Sequence, residues 1–168
     1  KKLDAVDTRE FFDRSFFLAT GNREAFPWQR ELFDRFCHLD FPDRITLPTG
    51  AGKTSVMALW LLALGLRMRN QPDNPAIPRR LVWVVDRRVV VDQATSEAEM
   101  LADRLSKELG LLELRQALAA ASLTGEPLAI STLRGERADN RAWSDDPSRA
   151  AIIVGTVDMI GSRLLFSG

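Results

Sequence analysis

The spacing of apolar residues changes along the chain, and the changes predict its elements. Phe11, Phe12, Phe16 and Phe17 recur near the helical period, after Asp7 or Thr8 as candidate caps and before a stop at Gly21. Pro27 suits the first position of a second helix, with Leu32, Phe33 and Phe36 along one face. RITLP, 44–48, reads as a short buried strand that runs into a Gly-rich turn. A helix is expected from Gly52 to about Arg69, apolar nearly all round and therefore buried. QPDNPAIP, 71–78, is a Pro-rich surface loop.

The second half repeats the alternation. LVWVV, 81–85, is a continuous apolar run with β-branched residues, the pattern of a strand covered on both faces. A long helix follows from about Val89 to Lys107, then a helical stretch LLELRQALAAA at 111–121. LAISTL, 128–133, and AIIVGT, 151–156, are two further strands, and the polar segment between them is long enough to expect function or mobility. Strands alternating with helices predict an α/β domain, a parallel sheet with helices on both faces. Such sheets take ligands at the carboxyl ends of their strands. Residues 1–25 form an N-terminal helical extension and 26–168 the α/β domain.

Composition narrows the function classes. The apolar fraction of 45% and charged fraction of 27% are those of a globular protein, and 168 residues fit one domain of this kind. Basic and acidic residues balance at 23 each, so no global basic field draws the chain to nucleic acid, and any polyanion site is local. Of the 23 basic residues 19 are Arg, which suits forked phosphate contacts, though codon bias accounts for the excess equally well. A single Cys37 excludes an internal disulfide and a cysteine-cluster metal site. The one His38 excludes a multi-histidine metal or nuclease constellation. The charged start has no apolar signal core, and the longest apolar run, 56–66, is too short to span a bilayer, so the expected compartment is cytoplasmic, without membrane partners.

The chemistry concentrates in LPTGAGKTS, 47–55. Gly50 and Gly52 permit backbone angles closed to other residues and let amides approach a phosphate. The helix that follows turns its positive end to the anion. Thr49, Gly50, Ala51 and Gly52 would thus cradle the phosphates of ATP. Lys53 would reach the β and γ phosphates, and Thr54 would offer its hydroxyl to Mg²⁺. The alternative is a Gly-rich turn with a merely solvated Lys. Leu47 stands where the common phosphate-loop pattern has Gly. Upstream, FPWQ at 26–29 opens a helix, and an amide such as that of Gln29 can bond N6 and N7 of adenine together. Phe26 or Trp28 would stack on the base, a core role for Trp28 being the alternative.

Each strand also delivers a candidate nucleic-acid contact to its carboxyl end. DRRVVVDQ, 86–93, places Arg87 and Arg88 at a helix start, where guanidinium forks and helix amides meet backbone phosphates. Solvation, or salt bridges to Asp86 and Asp92, is the plainer reading. After 128–133 come Arg134 and Gly135, and after 151–155 come Thr156 and Asp158, the last two explained equally by helix capping. Three strands serving one rim suit a track for single-stranded nucleic acid, gripped through phosphates without sequence choice.

PTGAGKT, with Leu47 before it, looks like the relaxed phosphate loop of superfamily 2 helicases. The order PWQ, PTGAGKT, VVDRRVVVDQ, ISTLRGE and IIVGTVDMIGSRLLFSG resembles the first RecA-like domain of the CRISPR-associated helicase-nuclease of type I interference systems, and 131–168 resembles subtype G. The likeness covers about Phe26 to Gly168. It implies a RecA-like P-loop NTPase fold and an ATP-dependent, Mg²⁺-requiring single-stranded DNA translocase in antiviral defence, moving 3′ to 5′. It implies as partners an RNA-guided surveillance complex, a second RecA-like domain and a metal-dependent HD nuclease domain. It assigns Gln29 to adenine, Gly50 to Thr54 to phosphates and Mg²⁺, and Arg87, Arg134, Gly135, Thr156 and Asp158 to the DNA track. Within 1–168 there is no Asp-Glu-x-His segment to hold Mg²⁺ and polarise water, so a truncated motor domain, inactive in hydrolysis by itself, is expected. Two rival readings are the motor subunit of a type I restriction enzyme, or another superfamily 2 helicase, and a nucleotide-gated nucleic-acid-binding module with no motor activity.

Overall fold

The computed structural model describes residue 3, residues 5–133 and residues 142–164. Two helices come first, α1 (Ala5–Thr20) and α2 (Pro27–Cys37), followed by α3 (Val56–Asn70). Then come β1 (Arg80–Val85), α4 (Arg88–Lys107), α5 (Leu112–Ala120), β2 (Leu128–Leu133), the one-turn α6 (Ala142–Asp145), β3 (Ala150–Thr156) and α7 (Val157–Leu164). The strands form a parallel sheet in the order β1-β3-β2, an α/β arrangement as the alternation predicts. Register aligns their carboxyl ends: Val85 pairs with Thr156 and Leu133 with Gly155.

The helical layer is held by aromatic side chains. Phe12 lies 5.1 Å from Phe16 and 5.1 Å from Phe33 between ring centres, joining α1 to α2. Gly21 (φ 76°) ends α1, its amide donating to the Phe17 carbonyl at 2.7 Å. α3 is the core element: every residue from Met57 to Leu66 is buried, as its all-round apolar pattern demands. Large side chains so buried stabilise by about 1.5–3 kcal/mol each. α5 approaches α3 at Gly65, where an added Cβ would lie 2.1 Å from Leu114 Cδ1. Arg67, near the end of α3, ties three segments together by donating to the carbonyls of Cys37 and Pro75 and to Gln71 Oε1.

Alternate residues of the sheet divide between two layers. Leu81, Trp83, Val85, Ile152 and Val154 pack into the core formed with α1–α5. The other face meets α6 and α7: the Trp143 amide donates to Ser131 Oγ at 3.3 Å, and Ile160 packs against Gly155. This layer covers β1 only in part, and Val82 and Val84 are 38% and 47% exposed. Of the described strands only β3, flanked on both sides, is buried along nearly its whole length. The expectation that 81–85 is covered on both faces is therefore corrected, because an edge strand is sheltered only as far as the neighbouring helices reach.

The expected strand at 44–48 is also absent. Those residues pair with no described strand, and Arg44, Ile45 and Thr46 are exposed. The segment is tethered at both ends to α2 instead: Phe41 lies 5.7 Å from Phe36, and the Ala51 carbonyl accepts from Trp28 Nε1 at 3.1 Å. A β-prone sequence becomes a strand only when another strand lies alongside, and this one spans a gap between helix contacts. The next helix begins later than expected, at Val56, after a 3₁₀ turn over Lys53–Ser55.

Candidate nucleotide site and nucleic-acid rim

The turn at 48–55 is built by its glycines. Gly50 has φ 80° and Gly52 has φ 72°, ψ 37°, left-handed angles that glycine adopts without strain. The Ala51 amide donates to the Pro48 carbonyl at 3.3 Å, and the Ser55 amide and hydroxyl both donate to the Gly52 carbonyl, at 3.1 and 2.6 Å. Among the described residues the amides of Gly50, Gly52 and Lys53 have no protein acceptor. Lys53 and Gly52 are exposed, Thr54 is half-buried, and Lys53 forms no ion pair among the described residues. A cluster of free amides with one unpaired ammonium is suited to a polyanion.

The start of α2 docks against this turn, bringing together residues the sequence had set apart. Phe26 is 51% exposed and caps α2 in extended conformation, with its ring 3.7 Å from where a Gly52 Cβ would stand. Trp28 is half-buried and holds the Ala51 carbonyl. Gln29 is buried, and its amide is engaged at both ends: Oε1 accepts from the Phe26 amide and Nε2 donates to Ser55 Oγ, each at 2.8 Å. A side chain on Gly52 would come within 3.2 Å of Gln29 Nε2, so its absence serves contact as well as backbone angle. In this geometry Gln29 shapes the turn. Ser55, the hub of those bonds, was missed in sequence reasoning; its only signal was a second hydroxyl after Lys53-Thr54.

A cleft of ≈70 Å³ opens beside the turn. Gly52, Thr54 and Ser55 form one wall, Thr20 and Asn22 at the end of α1 another, and Glu97, Met100 and Arg104 of α4 the third. No pattern in the sequence had placed the ends of α1 and α4 there.

The rim is separate from this cleft. Arg87, extended at φ −128°, immediately precedes α4, and Arg88 opens the helix; both are exposed and form no ion pair among the described residues. Thr156 ends β3 half-buried, and Asp158 stands exposed in the first turn of α7. The pairing of Val85 with Thr156 puts these four residues at the same sheet edge. Arg134 and Gly135 lie outside the described residues.

Two titrating groups are strongly displaced. Burial, aided by Asp34 and opposed by Arg67, pushes the Cys37 thiol up to about 12, which leaves it protonated and inert. Burial also raises the Asp146 carboxyl. Hydrogen bonds from the Ser148 hydroxyl and the amides of Thr124, Ser148 and Leu123 outweigh it and hold the group well below the usual carboxylate range. No group of three or more His, Cys, Asp or Glu residues suited to a metal occurs among the described residues. No described helix is long and apolar enough to cross a membrane. The chain matches no family model, and neither a curated protein nor a solved structure matches it significantly.

Proposed function

We propose that this chain is the nucleotide-binding motor domain, RecA-like in kind, of a superfamily 2 DNA helicase that works in type I CRISPR interference. One observation carries the nucleotide part of the reading. Among the described residues, the turn at 48–55 presents the amides of Gly50, Gly52 and Lys53 without protein acceptors, beside a Lys53 ammonium that forms no ion pair. Left-handed glycines hold the backbone of this turn in place, and a loop whose shape is already set pays less to bind a phosphate.

In this reading ATP lies with its triphosphate on the turn. Lys53 neutralises the β and γ oxygens, and charge stabilisation of this kind is the main contribution a protein makes to phosphoryl transfer. Thr54 would offer its hydroxyl to Mg²⁺, which would supply further positive charge against the phosphates. Exposed Phe26 provides a face for the base, and Trp28 fixes the turn through the Ala51 carbonyl. Gln29 contacts adenine only by releasing Phe26 or Ser55. The exposed arginines of the rim, with Thr156 beside them, supply the grip on single-stranded DNA. Translocation would need the second RecA-like domain, and cleavage the HD nuclease domain; the surveillance complex delivers the DNA. Those partners rest on the resemblance of residues 131–168.

Calorimetry with Mg·ATP tests the nucleotide site. The chain should take up one equivalent, and Lys53→Ala should weaken binding by roughly tenfold to a hundredfold, the effect of one charge-assisted contact, while leaving the thermal midpoint unchanged. Equal affinity in the variant would remove the site from 48–55.

A further inference from the structure

We infer that Arg104 of α4 is a phosphate-binding residue, which reads the terminal phosphate of the nucleotide from across the cleft beside the turn; this rests on the nucleotide site proposed above. Gly52, Thr54 and Ser55 share that cleft with Arg104, Asn22 and Glu97, so a ligand leaving the turn towards α4 meets a guanidinium. Arg104 is half-buried, and its guanidinium has neither an ion pair nor a hydrogen bond among the described residues. Half-buried arginines ordinarily find a carboxylate or a carbonyl, as Arg67 does with Cys37.

The end of α1 lies close against this group. A Cβ at Gly21 would stand 2.6 Å from Arg104 Nη2 and 3.0 Å from Cζ, so any side chain there would displace the guanidinium. The other polar groups suit a magnesium-bound phosphate. Asn22 brings an amide and Thr54 a hydroxyl, and Glu97 brings a carboxylate, the group that commonly shares such a site by facing the cation. A planar guanidinium meets two phosphate oxygens at once, which favours a terminal phosphate over a bridging one.

The inference predicts selectivity for ATP over ADP. Titration of the full chain with Mg·ATP and Mg·ADP should give tighter binding of ATP. Arg104→Gln should lower ATP affinity roughly tenfold or more while leaving ADP within about twofold, and Arg104→Lys should restore part of the difference. If Arg104 merely packs against the end of α1, Arg104→Gln will lower the thermal midpoint and leave the ATP-to-ADP ratio unchanged, which overturns the inference. Wild-type chain that binds both nucleotides equally overturns it too, with the nucleotide site intact. Wild-type chain that binds neither overturns both.

Discussion

At the scale of single residues, the most constrained carboxylate lies far from the proposed chemistry. Asp146 is 1% exposed and accepts from the amides of Leu123, Thr124 and Ser148 and from the hydroxyls of Thr124 and Ser148. Beside it Arg149, 5% exposed, bonds Glu126 at 2.7 Å. Together they clamp the turn before β2 to the segment before β3, at the amino ends of the strands. Because the folded carboxyl titrates below its unfolded value, its stabilisation is complete above the unfolded value, roughly pH 4, and is lost as pH falls through the folded one. Thermal midpoints measured from neutral pH downwards should fall steeply below about pH 4 in the wild type. Asp146→Asn should start lower at neutral pH and show a flatter acid limb, because its amide places donors against donors. Parallel acid limbs for the two proteins would assign the acid sensitivity to other groups.

At the scale of elements, α3 decides how the helical layer packs, and its least tolerant position carries no side chain. Leu114 of α5 occupies the space over Gly65 so closely that an added methyl must displace it. Gly65→Ala gains helix propensity, about 1 kcal/mol, but overpacking costs about 1–3 kcal/mol, so the variant should be neutral to destabilised by about 2 kcal/mol in urea unfolding. A gain in stability would mean that α5 moves freely on α3. The periodicity of 5–37 and the apolar run of 56–66 made these helices legible, since burial on one face or all round is written in the spacing. The contact at Gly65 was not legible: a glycine within a helix signals room without naming the neighbour. The strand expected at 44–48 failed for a related reason. Its residues have the right propensity, but pairing is a property of two segments, and the contacts of Phe41 and Ala51 with α2 hold this one away from the sheet. The left-handed turn at 48–55 follows from Gly50 and Gly52, which is why the shape of that part of the candidate site could be read directly. The cleft with Arg104 needed α1 and α4 to be folded first.

Across the whole molecule, charges cancel at 23 against 23, so the proposed grip on DNA would rest on a few residues and not on a field. Arg87 and Arg88 are the best placed of those described, exposed where α4 begins and level with Thr156 through the β1–β3 register. Their position at a helix start adds backbone amides to two guanidinium forks, a combination that favours phosphate over base. The consequence appears in salt dependence. For single strands each neutralised phosphate contributes roughly 0.7 to the slope of log affinity against log salt, so Arg87→Ala with Arg88→Ala should flatten that slope by roughly 1.4. Fluorescence anisotropy with labelled oligonucleotides of several sequences should show the same flattening for each, because phosphates are common to all. An unaltered slope would make the two arginines solvated surface groups, and a loss confined to one sequence would mean that they touch bases.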